Sequence, residues 1–319
     1  MGFHSQVITV FGGSGFLGRH LVRRLAKTGA TIRIATRHPS RAGFLKTAGA
    51  VGQIVPIAVD TDNDDSVAAA LVGADFAVNL IGILAPHGRI TFQSAHVDAA
   101  DRVARIAAAA AVQRLVHVSA LGADEASPSV YARTKAQGER AVLKAFPGAT
   151  VLRPSVMFGP EDDFFNRFAA MALYFPALPL IGKGTTRLQP VYVGDVAEAI
   201  MVAGDNPSCA GKTYVLGGPL VYTLREIMAR VETETGHRRA LVPIPWGLAT
   251  TLAGLLEWLP NPPLTRDQVA LLQTDNVVPG GANGLVELGI APTAIDLILP
   301  TYLARFRTGG TPNRRQTAS

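Results

Sequence analysis

Apolar residues in the first half of the chain fall into short, nearly continuous runs separated by stretches of helical spacing. The runs at 7–11, 31–36, 53–59, 76–81, 115–119 and 150–154 read as strands buried on both faces. Between them, 16–28, 64–72, 94–111 and 131–146 have helical character and are long enough to serve as crossovers. This alternation predicts an α/β domain with a parallel sheet covered on both sides. Right-handed crossovers make it doubly wound.

Beyond residue 159 the pattern loosens. Helix is expected at 164–174, strand at 187–193, helix at 195–203, a short strand at 214–216 and an amphipathic helix at 223–235. Residues 240–303 are rich in Pro and Gly, with two or three helices among them. The expected organisation is a nucleotide-binding domain over 1–159, a smaller irregular C-terminal lobe over 160–303 that borrows parts of the sheet, and a disordered basic tail over 304–319. The helix left between Pro245 and the next breaks, 246–259, carries Leu248, Leu252, Leu255, Leu256 and Leu259 within one stripe. The stripe is expected to dock on the body. Trp246 and Trp258 are then expected to face a partner or a membrane surface, unless the lobe covers both faces.

Composition narrows the classes. The chain has 319 residues, is 48% hydrophobic and is 17% charged, which excludes a long polar disordered protein. Of the net charge of +6, Arg305, Arg307, Arg314 and Arg315 in the tail account for most, and no nucleic-acid motif accompanies them. Cys209 is the single cysteine, so intrachain disulfides, CxxC pairs and cysteine zinc sites are excluded. The histidines at 4, 20, 38, 87, 96, 117 and 237 show neither HxH nor HExxH spacing, and no metal site is expected. His117, inside a strand, reads as a satisfied core residue. The first strand begins too early to leave room for a targeting segment. The longest uncharged stretch, between Arg239 and Glu257, is interrupted by Pro243 and Pro245. Its helix would be about 21 Å long against a hydrocarbon core of about 30 Å. The expectation is a cytoplasmic protein, with peripheral attachment to the cytoplasmic face of the inner membrane left open.

Chemistry first appears at Gly12-Gly13-Ser14-Gly15-Phe16-Leu17-Gly18, between the first strand and the first helix. Gly12 permits the tight turn, Gly15 lets backbone approach a pyrophosphate, and Gly18 allows close packing of the helix. The helix N-terminus offers N–H groups and partial positive charge to phosphates. This is a Rossmann-type dinucleotide site. A site for NAD(H) would place Asp or Glu at the end of the second strand, where this chain has Arg37. A guanidinium can pair with a 2′-phosphate through hydrogen bonds of about 1.5–3 kcal/mol each, so NADP(H) is preferred, with NAD(H) second. Arg19 can add a further positive charge. Asp60, ending the third strand, either reaches the adenine edge or caps a helix. Gly82, after the fourth strand, joins the candidate cofactor contacts.

Ser119 ends the fifth strand, and Tyr131 and Lys135 share one face of the following helix. Carbonyl reduction uses such a pair: the ammonium group lowers the phenol's pKa and can hold the nicotinamide ribose, and the phenol gives up a proton. Ser119 either orients the carbonyl or simply ties off the strand.

The glycine loop, Ser119 and Tyr131-Ala-Arg-Thr-Lys135 resemble the extended or atypical short-chain dehydrogenase/reductases, NAD-dependent epimerases and dehydratases included. Val191-Tyr-Val-Gly-Asp-Val-Ala197 is similar to the segment opening a later helix of that superfamily. A narrower resemblance rests on Ser119-Ala-Leu-Gly-Ala-Asp124, Lys135-Ala-Gln-Gly-Glu139, Leu152-Arg-Pro-Ser-Val-Met-Phe-Gly159, Glu161-Asp-Asp-Phe-Phe-Asn-Arg-Phe168, Pro243-Ile-Pro245 and Leu264-Thr-Arg-Asp-Gln-Val269. These segments resemble the NADPH-binding accessory subunits of respiratory complex I and their bacterial relatives, over about residues 6–300. The resemblance implies a bound-cofactor subunit at the quinone module, with Tyr131 and Lys135 near the nicotinamide ribose and Pro154 close to the nicotinamide. Two other readings stay open. One is an active NADPH-dependent reductase or epimerase acting on a quinone precursor or isoprenoid-like substrate. The other is an NADPH sensor. The spacing of twelve residues from Ser119 to Tyr131 is shorter than is usual in the extended reductases.

Overall fold

All six strands expected in the first half form: β1 (Val7–Phe11), β2 (Thr31–Thr36), β3 (Ile54–Ala58), β4 (Phe76–Asn79), β5 (Arg114–Val118) and β6 (Thr150–Pro154). The strand Thr213–Leu216 adds a seventh. The spatial order is β3-β2-β1-β4-β5-β6 and then Thr213–Leu216, with every neighbouring pair parallel. Chain order reverses between β1 and β4, which opens a crevice beyond their C-terminal ends, the position where doubly wound sheets bind ligands. The helices α1 (Phe16–Leu25), α2 (Asp64–Leu71), α3 (Ala99–Ala109) and α4 (Val130–Ala145) make the crossovers.

Alternation along the strands builds two apolar layers. Phe11, Ala77 and Leu115 point to one face and cluster with Val67 and Leu71 of α2, Val103 and Ala107 of α3 and Val142 of α4. On the other face, Phe76 meets the helix Val193–Asp205 at Gly204, where a Cβ would lie 2.5 Å from the ring. Polar residues start the helices as their chemistry demands: Asn63 accepts from the Ser66 N–H at the head of α2, and Ser129 accepts from the Ala132 N–H at the head of α4.

The structure, a computed structural model, describes residues 2–259 and 262–307. The chain divides into two units, and it passes between them repeatedly. The sheet unit comprises Met1–Pro154, Val193–Leu216 and Pro279–Ala291; the second comprises Ser155–Tyr192, Gly217–Val278 and Pro292–Ser319. Within the second unit, Ala177–Ile181 pairs in parallel with Ala240–Ile244. Its core gathers Phe158, Phe165, Leu178, Leu180, Ile227, Val231 and Leu299. The buried Asp162 carboxylate organises one end of it. Oδ1 accepts from the Phe165 and Asn166 N–H groups at the head of the helix Phe164–Tyr174, and Oδ2 accepts from the Gly159 N–H and from the Tyr302 hydroxyl at 2.6 Å.

Several expectations need correction. The 187–193 strand is two short pieces in different pairs, Arg187–Leu188 and Val191–Tyr192, separated by Pro190, which has no N–H to donate. The helix expected from 94 opens with a π-turn, Gln93–Asp98, and residues 39–48, where no element was expected, form tight 3₁₀ turns. In the helix Trp246–Leu256 the buried residues are Ala249 and Ala253, small enough to sit close against Ile181 and Val269, and Trp246 packs on the same cluster. The leucine stripe is exposed instead: Leu248 by 52%, Leu252 by 38%, Leu255 by 67% and Leu259 by 50%, beside Trp258 at 91%. At the expected tail, Ala304–Phe306 is a 3₁₀ turn, Arg305 bonds the Asn166 side chain, and Arg307 Nε donates to the Glu234 carbonyl at 2.7 Å. The rest of that tail, with Arg314 and Arg315, lies outside the described residues. Among the described residues, no helix is long and apolar enough to cross a membrane.

Candidate functional site

The glycine loop turns tightly over the end of β1. Gly12 has φ +77°, and a Cβ there would lie 3.2 Å from the Leu80 backbone that follows β4. The Gly12 N–H donates to the Ala35 carbonyl, and the Gly15 N–H to Gly12. A Cβ on Gly18 would come within 2.5 Å of the Gly13 backbone, so α1 can start only where position 18 lacks a side chain. Gly15 is exposed at the N-cap. No side chain caps α1 and no acid sits in its first turn, so its first N–H groups remain available to an anion. Leu17 is buried and Phe16 half-buried. Arg19 Nε donates to the Ser14 carbonyl at 2.9 Å, and its guanidinium lies 5.3 Å from the centre of the Phe44 ring, joining the loop to the 39–48 turns. Arg37 is exposed one residue past β2 and makes no ion pair among the described residues. Asp60 Oδ1 accepts from the Asp62 N–H at 3.0 Å, which closes a local turn. The glycine loop and the segment after β4 are therefore adjacent, while Arg37 and Asp60 belong to the ends of β2 and β3.

A buried polar cluster lies beyond β4 and β5, around Lys135. Lys135 is almost wholly buried, and its Nζ donates to the Val118 carbonyl at 3.2 Å. A Cβ on Gly82 would lie 3.2 Å from the same Nζ, so the absent side chain leaves the ammonium group room. Burial lowers the Lys135 pKa to about 8. His96, from the π-turn, accepts from the Ile83 N–H through Nε2 at 3.1 Å. Its proton is thereby on Nδ1, which donates to Thr134 Oγ1 at 2.9 Å, and the Thr134 hydroxyl in turn donates to the Val130 carbonyl. Asn79 Oδ1 accepts from the Ile81 N–H, so its amide nitrogen donates to His117 Nδ1 at 3.2 Å. The proton of His117 is then on Nε2, a buried atom with no partner among the described residues. Burial, and secondarily the nearby Lys135 charge, pushes both imidazoles down to about 3. Two neutral histidines thus flank a single ammonium group.

Tyr131 lies one turn before Lys135 on α4. Its ring stands edge-on to His96, with centroids 5.2 Å apart, and to Phe92 at 6.1 Å. Ser119 sits just past the end of β5, buried, with an Oγ that has no partner among the described residues. Pro154, buried at the end of β6, accepts from the Leu121 N–H at 2.8 Å. α4 approaches the π-turn so closely that a Cβ on Gly138 would lie 2.0 Å from the His96 carbonyl oxygen. The arrangement offers an anion-binding turn, a buried ammonium group and a phenol on one helix, and an unsatisfied hydroxyl beside them. His96, Thr134 and Asn79 escaped the sequence reading, since their partners are distant along the chain; only the strand position of His117 drew notice. A separate open groove of about 450 Å³ runs along another face of α4, where Glu139 and Arg153 form a forked ion pair at 2.6 Å. Neither Tyr131 nor Lys135 lines it.

Comparison with known proteins agrees with this geometry. The profile of the NAD dependent epimerase/dehydratase family matches residues 8–217. The chain is 37% identical to Arabidopsis thaliana NADH dehydrogenase [ubiquinone] 1 alpha subcomplex subunit 9, mitochondrial, covering 98% of this chain and 81% of the relative. It is 34% identical to the mouse (Mus musculus) protein of the same name, over 95% and 81%. Among solved structures, DesIV from Streptomyces venezuelae, a dTDP-glucose 4,6-dehydratase with NAD and TYD bound, superposes with a TM-score of 0.74 at 21% identity, covering 93% of this chain and 96% of that one. The glycine turn, the parallel sheet and these likenesses agree: the chain belongs to the NAD dependent epimerase/dehydratase family.

Proposed function

We propose that this chain is an NADP(H)-binding accessory subunit of respiratory complex I (NADH:quinone oxidoreductase), which stabilises the assembly without turning over a substrate of its own. One observation carries the reading: nearly the whole chain aligns, at 37% identity, with a protein named as a subunit of NADH dehydrogenase [ubiquinone]. In this role it docks at the quinone module as a peripheral protein on the cytoplasmic face of the inner membrane.

The residues present fit the cofactor. Gly12, Ser14, Gly15, Phe16, Leu17 and Gly18 cradle the pyrophosphate at the uncapped start of α1. Arg37, exposed and unpaired among the described residues, would take the 2′-phosphate, and Arg19, held on the Ser14 carbonyl, would add positive charge at the loop. Asp60 would approach the adenine, Pro154 the nicotinamide, and Tyr131 and Lys135 its ribose, with Gly82 among the cofactor contacts. In the accessory role NADPH is a structural ligand; under the second reading, below, it would supply a hydride. Lys135 would hold the ribose hydroxyls, and the neutral His96 and His117 add no competing charge beside it.

The unpartnered Ser119 Oγ favours a second reading, an NADPH-dependent reductase or epimerase acting on a quinone precursor or isoprenoid-like substrate. There Tyr131 protonates a carbonyl that Ser119 orients. The deciding experiment is affinity purification of the tagged chain from membranes solubilised in mild detergent. Co-elution with complex I subunits and about one equivalent of NADPH is expected. A solitary protein that steadily consumes NADPH with a ketone or quinone, and loses that activity on Tyr131→Phe, transfers the assignment to the second reading.

A further inference from the structure

The helix Trp246–Leu256 is apolar nearly all the way round. Its buried side is Ala249 and Ala253. Leu248, Leu252, Leu255 and Leu259 follow one another at helical spacing along an exposed side, continued by Trp258. The helix has two hydroxyl side chains, Thr250 and Thr251. Both donate to the carbonyl four residues back, Trp246 at 2.9 Å and Gly247 at 3.0 Å, so their hydroxyls are satisfied within the helix. No charged residue occurs between Arg239 and Glu257. A helix apolar on every side is normally enclosed by protein or lipid. At about 16 Å it is too short to cross a hydrocarbon core of about 30 Å.

Charge indicates what covers it. Strands Ala177–Ile181 and Ala240–Ile244 run parallel and in register, so Gly182 and Lys183 emerge at the same end as Pro245 and Trp246. Contact is direct there, since a Cβ on Gly182 would fall within 1.9 Å of the Trp246 ring. Lys183 is exposed at φ +62°, and Arg225 donates to its carbonyl at 3.3 Å. Neither cation has a carboxylate partner among the described residues. Arg266 and Glu257, toward the other end of the helix, pair with each other. Exposed positive charge without a carboxylate partner among the described residues therefore lies at the Trp246 end of the leucine-bearing helix. A protein interface distributes about one hydrogen bond per 100–200 Å². This face offers almost no donors or acceptors, because its hydroxyls are already satisfied within the helix, as the apolar layer of a bilayer requires.

We infer that the leucine face of Trp246–Leu256 lies in the interfacial layer of an anionic phospholipid membrane, with Lys183 and Arg225 against the lipid phosphates. This rests on the peripheral-membrane reading above and names the surface and lipid class. Such helices bind through buried apolar area plus attraction to anionic headgroups, so removing either contribution weakens them.

The test is flotation of the full chain with vesicles of phosphatidylcholine, with and without 30% phosphatidylglycerol. Wild type is expected to float with the anionic vesicles. Leu255→Ser alone should lower partitioning severalfold, and Leu248→Ser, Leu252→Ser and Leu255→Ser together by tenfold or more. Lys183→Glu with Arg225→Glu leaves the helix untouched and should remove the preference for phosphatidylglycerol. Wild type that stays with neither vesicle, or leucine variants that float as well as wild type, overturns the proposal. If wild type ignores vesicles while the leucine variants lose complex I in detergent, the face docks on protein and lipid docking is overturned. Vesicle binding requires no complex I, so flotation without co-purification would refute the subunit reading while leaving this one standing.

Discussion

Lys135 carries its charge where water does not reach, and that has a measurable cost. Its pKa of about 8, against 10.5 for the free side chain, corresponds to roughly 3 kcal/mol of destabilisation at neutral pH. Between those two values the folded chain binds fewer protons than the unfolded one, so stability rises with pH through that window; below about 8 the whole penalty is present. Lys135→Met should therefore raise the stability of cofactor-free protein by about 2–3 kcal/mol at pH 7. Its advantage should fade between pH 8 and 10.5, as read by urea denaturation of both proteins at each pH. NADPH binding should weaken in the same variant, the signature of a group retained for its ligand at the expense of the fold. For Arg37 the expected effect is selectivity. Arg37→Ala should weaken NADPH by tenfold or more in calorimetry and leave NADH within about twofold; equal losses would remove the 2′-phosphate assignment.

At the scale of elements, two contacts between distant segments are open to test. Gly138 lets α4 meet the π-turn at the His96 carbonyl, with no space for a methyl group. Gly138→Ala should cost about 3 kcal/mol, with hydrogen exchange quickening first in residues 93–98 and 130–138. Tyr302, in the helix Ile295–Leu303, donates to the buried Asp162 carboxylate. Tyr302→Phe should remove about 1.5–3 kcal/mol, and a urea midpoint unchanged from wild type would contradict this. These elements also show where the sequence was legible. The glycine turn and the Tyr131/Lys135 pair are local patterns, readable because three or four residues of spacing decide them. His96 meets Thr134 across 38 positions, and Asn79 meets His117 across the same interval, so neither pairing is visible in a window. The helix 246–256 misled because leucine was taken as the mark of the inner face, whereas close packing on Ile181 and Val269 selected alanine.

For the whole molecule, a cofactor that belongs to the native state should stabilise it by linkage. NADPH at a hundred times its dissociation constant should add about 2.7 kcal/mol, raising the melting temperature in a concentration-dependent way. The alternation of strand and helix made the sheet readable, but the threading was not: the segments 193–216 and 279–291 return to the sheet unit after excursions into the other. This threading sets an order of events during synthesis on the ribosome. Six strands have been made once Pro154 emerges, yet the strand that covers the edge of β6 follows some 60 residues later. Throughout that delay a growing chain presents the bare hydrogen-bonding edge of β6, the kind of edge that recruits neighbouring chains. A nascent chain stalled near residue 200 should accordingly depend on chaperones that one released after residue 291 no longer needs.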